Sequence, residues 1–579
     1  MMTVQVIQRE VPDDCELPAD LHPVIRRVYA ARGIRCGDDL DYSLNRLLPY
    51  STLKHIDDAV ALLEECLRQD RRILVVADFD ADGATSCAVA LRSLHAMGAK
   101  HVDYIVPNRF DYGYGLTPEI VDVAAELSPD LIITVDNGIS SIAGVRHARE
   151  LGMDVLVTDH HLPGPELPAA TVIVNPNQPG DAYASKSLAG VGVIFNIMIA
   201  LRAHLRRNGW FSERGIDEFN LACVLDLVAL GTVADVVPLD HNNRIMVAQG
   251  LARIRAGQCC AGILALLDVS GRRRERIAAS DLGFAIGPRL NAAGRLTDMS
   301  LGIECLLTDD TGRAMDIARQ LHDLNLERRQ IQSEMELSAL EDLESDLERD
   351  RVDSAAALCL YREDWHQGVV GILASRIKEK FHRPVIVFAP DKDDRIKGSG
   401  RSINGVHIRD VLEAISSRHP GVVKKFGGHA MAAGLTIAVA DLEHFGQLFD
   451  AQVRSVVDEE QLRGRILTDG ELTPADLSFE MAQTIHRGGP WGQGFPEPLF
   501  RGEFDIVERR IVGEKHLRLE LRHSCGGAVI QAIAFNTVDD DWDEDVRRLS
   551  AVYRLDINEF RGSRNLQLMV EQLSPLTMT

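Results

Sequence analysis

Positive charge is in short supply in this chain of 579 residues: 63 Lys and Arg stand against 86 Asp and Glu, a formal net charge of -23. A field over the whole surface that gathers nucleic acid is thereby excluded, and any such contact must rest on local basic patches. Aromatic residues make up only 5%, so platforms for stacking bases must be few. No C-x-x-C pair occurs among the ten cysteines, of which only Cys259 and Cys260 are neighbours; this argues against a zinc ribbon or a dithiol redox motif. No apolar run approaches the roughly 20 residues of a membrane-spanning helix. The first stretch, MMTVQVIQREVPDDCELP, carries acidic residues where a secretory leader has its apolar segment,. Scattered thiols without such a leader lead to the expectation of a reducing, cytoplasmic setting. Low-complexity tracts and simple repeats are absent as well. What is present is ordinary for a globular protein, 45% hydrophobic and 26% charged, and the length points to about three or four domains of roughly 150 residues.

Residues 1–50 read as a small helical or irregular lead-in. From residue 71 onward RRILVVAD, HVDYIVP, DLIITVDNG and MDVLVTDHH recur as short β-branched runs, with helix-like stretches such as ATSCAVALRSLHAMG between them. Buried strands alternating with amphipathic helices predict a parallel α/β sheet. Three of the runs end in Asp or His at the carboxyl end, where open α/β sheets hold ligands. Residues 189–256 read as mostly helical. Residues 312–350 contain no Pro, no Gly after the first position, and apolar residues at helical spacing; they predict one long helix or a helix pair joining two lobes. A smaller α/β lobe begins at AAALCLY (355–361). From about 462, segments such as RGRILTDGEL, LFRGEFDIVERRIVG, KHLRLELRH and GAVIQAIAFN predict short strands that fit a barrel of the OB type, a fold that commonly binds single strands.

The densest chemical signal is Asp78, Asp80 and Asp82 at alternate positions, followed by Gly83, directly after a predicted strand. Such carboxylates converge on hard cations. An EF-hand loop begins in the same way but needs Glu six positions after the Gly, where Val89 stands, and a helix before it,. Strand-D-x-D also opens phosphatases of the haloacid-dehalogenase kind, which prefer Thr or Val where Asp82 stands. Asp136, in IITVDNGIS, ends another strand; alone, Asp-Asn-Gly reads as a turn. Asp159, His160 and His161 end a third strand, and adjacent histidines point in different directions, so that one can ligate a metal while the other faces a substrate. Asp235 lies in the apolar segment LVALGTVADVVPL, where a carboxylate is costly unless it is paired, caps a helix or ligates a metal. Oxygen-rich ligation with a little imidazole suits Mn²⁺ or Mg²⁺, and two such ions are the usual device for hydrolysing phosphoesters.

Taken in order, DFDADGATS, TVDNGIS, TDHH and GTVADVVPL resemble motifs one to four of the DHH phosphoesterase superfamily. GRSINGVHIRDVL and KKFGGHAMAAGLTI resemble its DHH-associated second domain. PNRFDYGYGL, GPRLNAAGRL, PWGQGFPEPLF and the closing barrel are similar to its bacterial single-strand exonuclease branch, with Phe79 where Tyr is usual and Trp491 where Phe is common. The resemblance implies an α/β fold: a parallel-sheet DHH catalytic domain over 51–310, a connecting helix over 311–350, a smaller α/β DHH-associated substrate-binding domain over 351–458 and an OB-type β-barrel over 459–579. It implies Asp78, Asp80, Asp82, Asp136, His160 and Asp235 as ligands of two Mn²⁺ or Mg²⁺ ions. His161 would stabilise charge on the scissile phosphate, with Asp136 bridging the ions and Asp159 orienting a histidine.

Arg109, Ser399, Arg401 and Ser402 would hold a 5′-phosphate. Gly428 and His429 would contact substrate, and Arg289, Asn291 and Arg295 would follow the strand. Tyr114, with Tyr112, would stack on bases, although a core role for one of them is the competing expectation. The basic runs at 272–276, 424–425 and 509–510 read either as phosphate contacts or as solvated faces. The implied activity is 5′-to-3′ exonucleolytic release of mononucleotides from single-stranded DNA in repair and recombination. The implied partners are a single-strand-binding protein and a RecQ-type helicase, with no membrane. A small-substrate phosphoesterase and a non-catalytic scaffold are the rival readings.

Overall fold

A computed structural model of the chain describes residues 5–108, 112, 114–344, 355–458, 460–513, 516–535, 537, 546–560 and 563–576. They form two compact units, one of Gln8–His322 with Leu467–Thr579 and the other built on Asp323–Ile466. No described helix is long and apolar enough to cross a membrane.

In the first unit, five parallel strands form a sheet: β1 (Ile73–Ala77), β2 (Val102–Ile105), β3 (Leu131–Val135), β4 (Asp154–Thr158) and β5 (Val172–Val174). Their order is β2-β1-β3-β4-β5. The crossovers include α1 (Ala81–Ala96), α2 (Pro118–Glu126) and α3 (Ile142–Glu150). Because helices cover both faces, β1 and β3 are buried at every position and are written almost wholly in Ile, Leu and Val, with Ala77 and Thr134 besides, without alternation,. The chain order reverses between β1 and β3. In an open α/β sheet this switch point opens a crevice at the carboxyl ends of the strands.

Beyond the sheet come α4 (Gly190–Arg207), α5 (Leu225–Ala234) and α6 (Gly287–Leu296), in line with the helical reading of 189–256. Helix α5, LDLVALGTVA, is apolar nearly all round and correspondingly buried,. The long helix α7 spans Thr311–Glu344; the rest of the predicted 312–350 helix lies outside the described residues.

The second unit holds a mixed sheet of β6 (Leu358–Tyr361), β7 (Val385–Pro390), β8 (Arg395–Arg401), β9 (Val423–Gly428) and β10 (Ala432–Ala438), in the order β9-β10-β8-β7-β6. One apolar core contains Phe388, Ile408, Phe445 and Phe449. The other packs α8 (Val370–Phe381) with Met335, Ala339 and Leu343 of α7.

The barrel is closed, with strands β11 (Phe500–Val512), β12 (His516–His523), β13 (Val529–Ala534), β14 (Arg548–Phe560) and β15 (Ser563–Pro575) in the order β11-β12-β13-β15-β14. All neighbours are antiparallel except β13 and β15. RGRILTDGEL, predicted among the strands of this region, is not part of it: Arg465–Thr468 pairs instead with Gln5–Gln8.

Candidate metal centre

Adjacent parallel strands lie about 4.8 Å apart, so residues just past the ends of β1, β3 and β4 are brought side by side. Asp78 follows β1, Asp136 follows β3, and Asp159, His160 and His161 follow β4. Helix α5 ends at Ala234 and delivers Asp235 from outside the sheet. The geometry at each position is specific. Asp80 is the N-cap of α1, its Oδ1 accepting from the Asp82 and Gly83 amides at 2.9 and 3.0 Å,. Asp82 accepts from the Gly190 and Val191 amides at the start of α4, at 2.6 and 3.0 Å. Asp136 adopts the left-handed conformation, φ 61°, which Asp tolerates better than most residues.

Among the described residues, three sets each bring their donor atoms within 4.8 Å of one another: Asp136, His160 and His161; Asp82, His160 and Asp235; and Asp78, Asp80 and Asp136. His160 Nε2 stands 3.1 Å from Asp136 Oδ1 and 3.4 Å from Asp235 Oδ2. Yet both His160 Nε2 and Asp136 Oδ1 are buried without a hydrogen-bond partner. Buried polar atoms without partners are costly, and donors of this kind are those that fit a divalent cation.

Electrostatics point the same way. Burial, and then repulsion from neighbouring carboxylates, push Asp78, Asp136 and Asp235 well above the usual carboxylate range. Asp82 is pushed up to about 7 by burial and by Asp80. Such a cluster can ionise fully only around added positive charge. Burial and the charge of His161 lower His160 to about 4, so its imidazole is neutral and its lone pair available.

His161 differs. Burial alone would lower it, but the hydrogen bond and charge of Asp159 carry it up to about 9. Its Nδ1 lies 2.8 Å from Asp159 Oδ1, which also accepts from the His160 and His161 amides at 2.7 and 3.0 Å, while Asp159 Oδ2 takes the Ile139 amide at 2.9 Å. These bonds outweigh burial and hold Asp159 below the usual carboxylate range.

Residues that were not singled out in the sequence complete the site. Asn175 and Asn177 donate to the carbonyls of His161 and His160 at 3.0 and 2.6 Å, fixing the peptides of the histidine pair. Gly190 and Gly231 leave room for carboxylates: a Cβ on Gly190 would meet the Asp136 side chain at 2.6 Å, and one on Gly231 would meet Asp82 Oδ1 at 2.7 Å. The only hint of them in the sequence is NPNQ following the next strand and small residues in the flanking helices.

The substrate-side expectations fare unevenly. Arg109 lies outside the described residues. Tyr114 and Tyr112 are both exposed, so neither is a core residue. The Tyr114 ring meets Phe79 and His161 edge-on, and its hydroxyl sits 3.4 Å from His161 and 3.3 Å from the Asp136 carbonyl. Asn291 Oδ1 accepts the Ala81 amide at 2.7 Å, so its carbonyl end supports the start of α1. Arg289 donates to the Ala285 carbonyl and to His322 at 2.5 and 3.1 Å, and Arg295 is in the last turn of α6. Of the basic run at 272–276, Arg273 and Arg276 pair with Glu559 of the barrel.

In the second unit, Arg401 Nη1 is 3.1 Å from Ser399 Oγ. A Cβ on Gly371, in the first turn of α8, would lie 2.9 Å from that hydroxyl and 3.0 Å from Arg401 Nη2. Ser399 and Arg401 thus share the amino end of a helix, a favourable place for an anion. Ser402 does not join them: it is 1% exposed and its hydroxyl donates to the Val406 carbonyl at 2.7 Å, closing the turn after β8. Gly428 takes φ 144° where a Cβ would strike the Ala432 carbonyl, and His429 follows it, exposed, in the turn to β10.

Comparison with known proteins agrees with this architecture. Residues 72–232 match the DHH family N-terminal domain, 354–455 the DHHA1 domain and 468–572 the RecJ OB domain. The chain is 53% identical over 574 residues to the single-stranded-DNA-specific exonuclease RecJ of Escherichia coli, covering 99% of each. It is 48% identical to that of Haemophilus influenzae, covering 96% of each. Among solved structures, RecJ from Thermus thermophilus in complex with Mn²⁺ is similar, with TM-score 0.79 and 30% identity over 99% of this chain and 80% of that one. A Mg²⁺ complex from the same organism gives 0.73 and 28%, over 99% and 79%.

Proposed function

Because the chain belongs to the RecJ family of DHH phosphoesterases, we propose that it is a metal-dependent exonuclease specific for single-stranded DNA, working from the 5′ end and releasing 5′-mononucleotides. The observation that carries this reading is the cluster at the sheet's switch point, whose buried carboxylates and neutral imidazole lack a counter-charge. Asp78, Asp80, Asp82, Asp136, His160 and Asp235 would hold two Mn²⁺ or Mg²⁺ ions. Bound there, such ions polarise the phosphodiester and make water nucleophilic at neutral pH.

The remaining steps belong to the protein. His161, kept protonated and aimed by Asp159, faces the scissile phosphate and neutralises the charge that develops on its oxygens. Asn175 and Asn177 hold the histidine backbone so that His160 and His161 keep separate directions. Ser399 and Arg401, with the start of α8, take the terminal 5′-phosphate, and a phosphate-binding role is proposed for Arg109 as well. Arg289 and Arg295 follow the strand and Tyr114 stacks on a base; Gly428 and His429 contact substrate. The closed barrel extends that path. We place the activity in cytoplasmic DNA repair and recombination, with a single-strand-binding protein and a RecQ-type helicase as partners.

The test uses one oligonucleotide labelled at the 5′ or the 3′ end, single-stranded or as a blunt duplex, with Mn²⁺, Mg²⁺ or chelator. The expected outcome is immediate release of a mononucleotide from the 5′ label, on single strands and only with metal. Release from the 3′ label first would overturn the assignment of Ser399 and Arg401. Binding without cleavage under either metal would overturn the enzyme.

A further inference from the structure

Phe284 is 86% exposed, the most exposed large hydrophobic among the described residues. Single exposed apolar residues are common and need no explanation; this one comes with two further anomalies. It lies in a single π-helical turn, Leu282–Ile286, inserted just before α6, and such insertions concentrate at functional sites. Leu282 and Ile286 are fully buried, so the turn is anchored on both sides while the Phe284 ring is held outward.

The second anomaly is Val236, 62% exposed at φ 61°, a conformation that β-branched residues avoid. It directly follows Asp235. The two features adjoin: a Cβ on Gly283 would lie 3.3 Å from Val233, and one on Gly287 would lie 3.2 Å from Ala234. The π-turn therefore packs on the two residues that lead into Asp235. The helix it opens also supports the other side of the cluster, through Asn291 on the Ala81 amide and Gly294 against the Phe79 carbonyl.

We infer that Phe284 is a base-stacking residue, its ring taking the face of one unpaired nucleobase of the strand beside the metal centre, with Val236 completing the apolar seat. The occupant is argued from continuity with that centre, since Val236 directly follows Asp235 and the π-turn packs on the residues that lead into it. A nucleobase offers the flat apolar face that a lone outward ring can use, and stacking of this kind tolerates any sequence. A base already paired in a duplex is not free to present its face in this way, so the contact favours single strands. The inference rests on the nuclease reading above and adds a recognition residue to it.

The test is binding of a 5′-phosphorylated, 3′-labelled single strand to the full-length protein in chelator, followed by fluorescence anisotropy, so that no cleavage intervenes. Phe284→Ala is expected to weaken binding by about 5- to 10-fold and Phe284→Trp to keep it. Strands carrying one abasic site, moved along the sequence, should reveal a position where loss of the base weakens the parent protein but no longer affects Phe284→Ala. Parent-like binding by Phe284→Ala overturns the inference. So does an abasic profile that is the same in both proteins. A parent that neither binds the strand in chelator nor cleaves it with Mn²⁺ overturns the nuclease reading, and the stacking role with it. Since the side chain is exposed, an unchanged melting temperature verifies that Phe284→Ala is folded.

Discussion

His160 and His161 are neighbours in sequence with opposite electrostatics: burial and the charge of His161 lower His160, while Asp159 raises His161. Asp159 Oδ1 gathers three donors, one of them the His161 ring. Those bonds keep His161 charged, while His160, less exposed than His161, stays neutral. The division of labour has a measurable consequence. Replacing His161 by Ala is expected to lower kcat by about 100- to 1,000-fold, the usual loss when a group stabilising developing charge is removed, while Mn²⁺ binding measured by titration calorimetry stays near the parent. Loss of Mn²⁺ binding along with turnover would place His161 among the ligands instead.

Asp82 allows a second check, in the absence of metal. Its carboxyl is raised to about 7 by burial and by Asp80, against roughly 3.9 in an unfolded chain. Below about pH 4 it is protonated in both states. Between about 4 and 7 the folded protein holds a proton that the unfolded chain has released, so this group's contribution to stability is lost as pH rises. In chelator, Asp82→Asn is therefore expected to gain melting temperature on the parent as pH goes from about 4 to about 7, and to lose that advantage once Mn²⁺ is added. A difference that stays flat with pH in chelator would rule out the buried, repelled carboxylate.

Helix α6 illustrates how much an element contributes without supplying a ligand. Its Asn291 holds the first turn of α1, and its Gly294 touches the loop of the DFDADG motif so closely that a Cβ would stand 2.0 Å from the Phe79 carbonyl. Gly294→Ala must push that loop away, and since the loop carries Asp78 and Asp80 and leads into Asp82 at the start of α1, Mn²⁺ affinity is expected to fall by about 10- to 100-fold, the range typical of lost support around ligands. Calorimetric titration of the folded variant reads this directly; parent-like affinity would mean the loop is not set by α6.

The carboxylates themselves are legible in the sequence because strand ends in a parallel sheet necessarily meet, so DFD, VDN and TDHH can be joined from the sequence alone. The closed barrel was readable for a similar reason, its strands being regularly broken by turns. Asn175, Asn177 and Gly294 were not. Nothing in a spacing says which carbonyl an amide will find, or where two backbones must pass without a Cβ between them. Ser402 departs from expectation on the same ground: it stands three residues from Ser399, just past the strand end, where its hydroxyl turns inward to the Val406 carbonyl.

Across the whole chain, the lead-in proves to be more than a preface to the catalytic sheet. The helix Pro23–Ala30 and the turn after it carry Tyr29 and Arg32 to the start of the barrel region. Arg32 makes a two-pronged ion pair with Asp469 at 2.6 and 3.0 Å, and donates to the Pro496 carbonyl at 2.7 Å; both charged side chains are essentially without exposure. Around them Tyr29, Trp491 and Phe495 stack, with Arg244 of the helical segment over Phe495 at 4.4 Å. PWGQGFPEPLF is thus a joint between the two ends of the sequence. Residues more than 400 positions apart meet here, which no local pattern announces.

Removing one partner of a buried pair leaves the other charge uncompensated and costs about 3–5 kcal/mol. Arg32→Met is accordingly expected to lower the stability of this unit by about that amount in equilibrium denaturation. Adding Asp469→Asn should return part of the loss, because the neutral amide can still accept the Leu499 amide, which Asp469 Oδ2 now holds at 3.1 Å, without a bare charge in the interior. An Arg32→Met variant within about 1 kcal/mol of the parent, a cost typical of exposed pairs, would show that the aromatic stack alone joins the two ends of the chain.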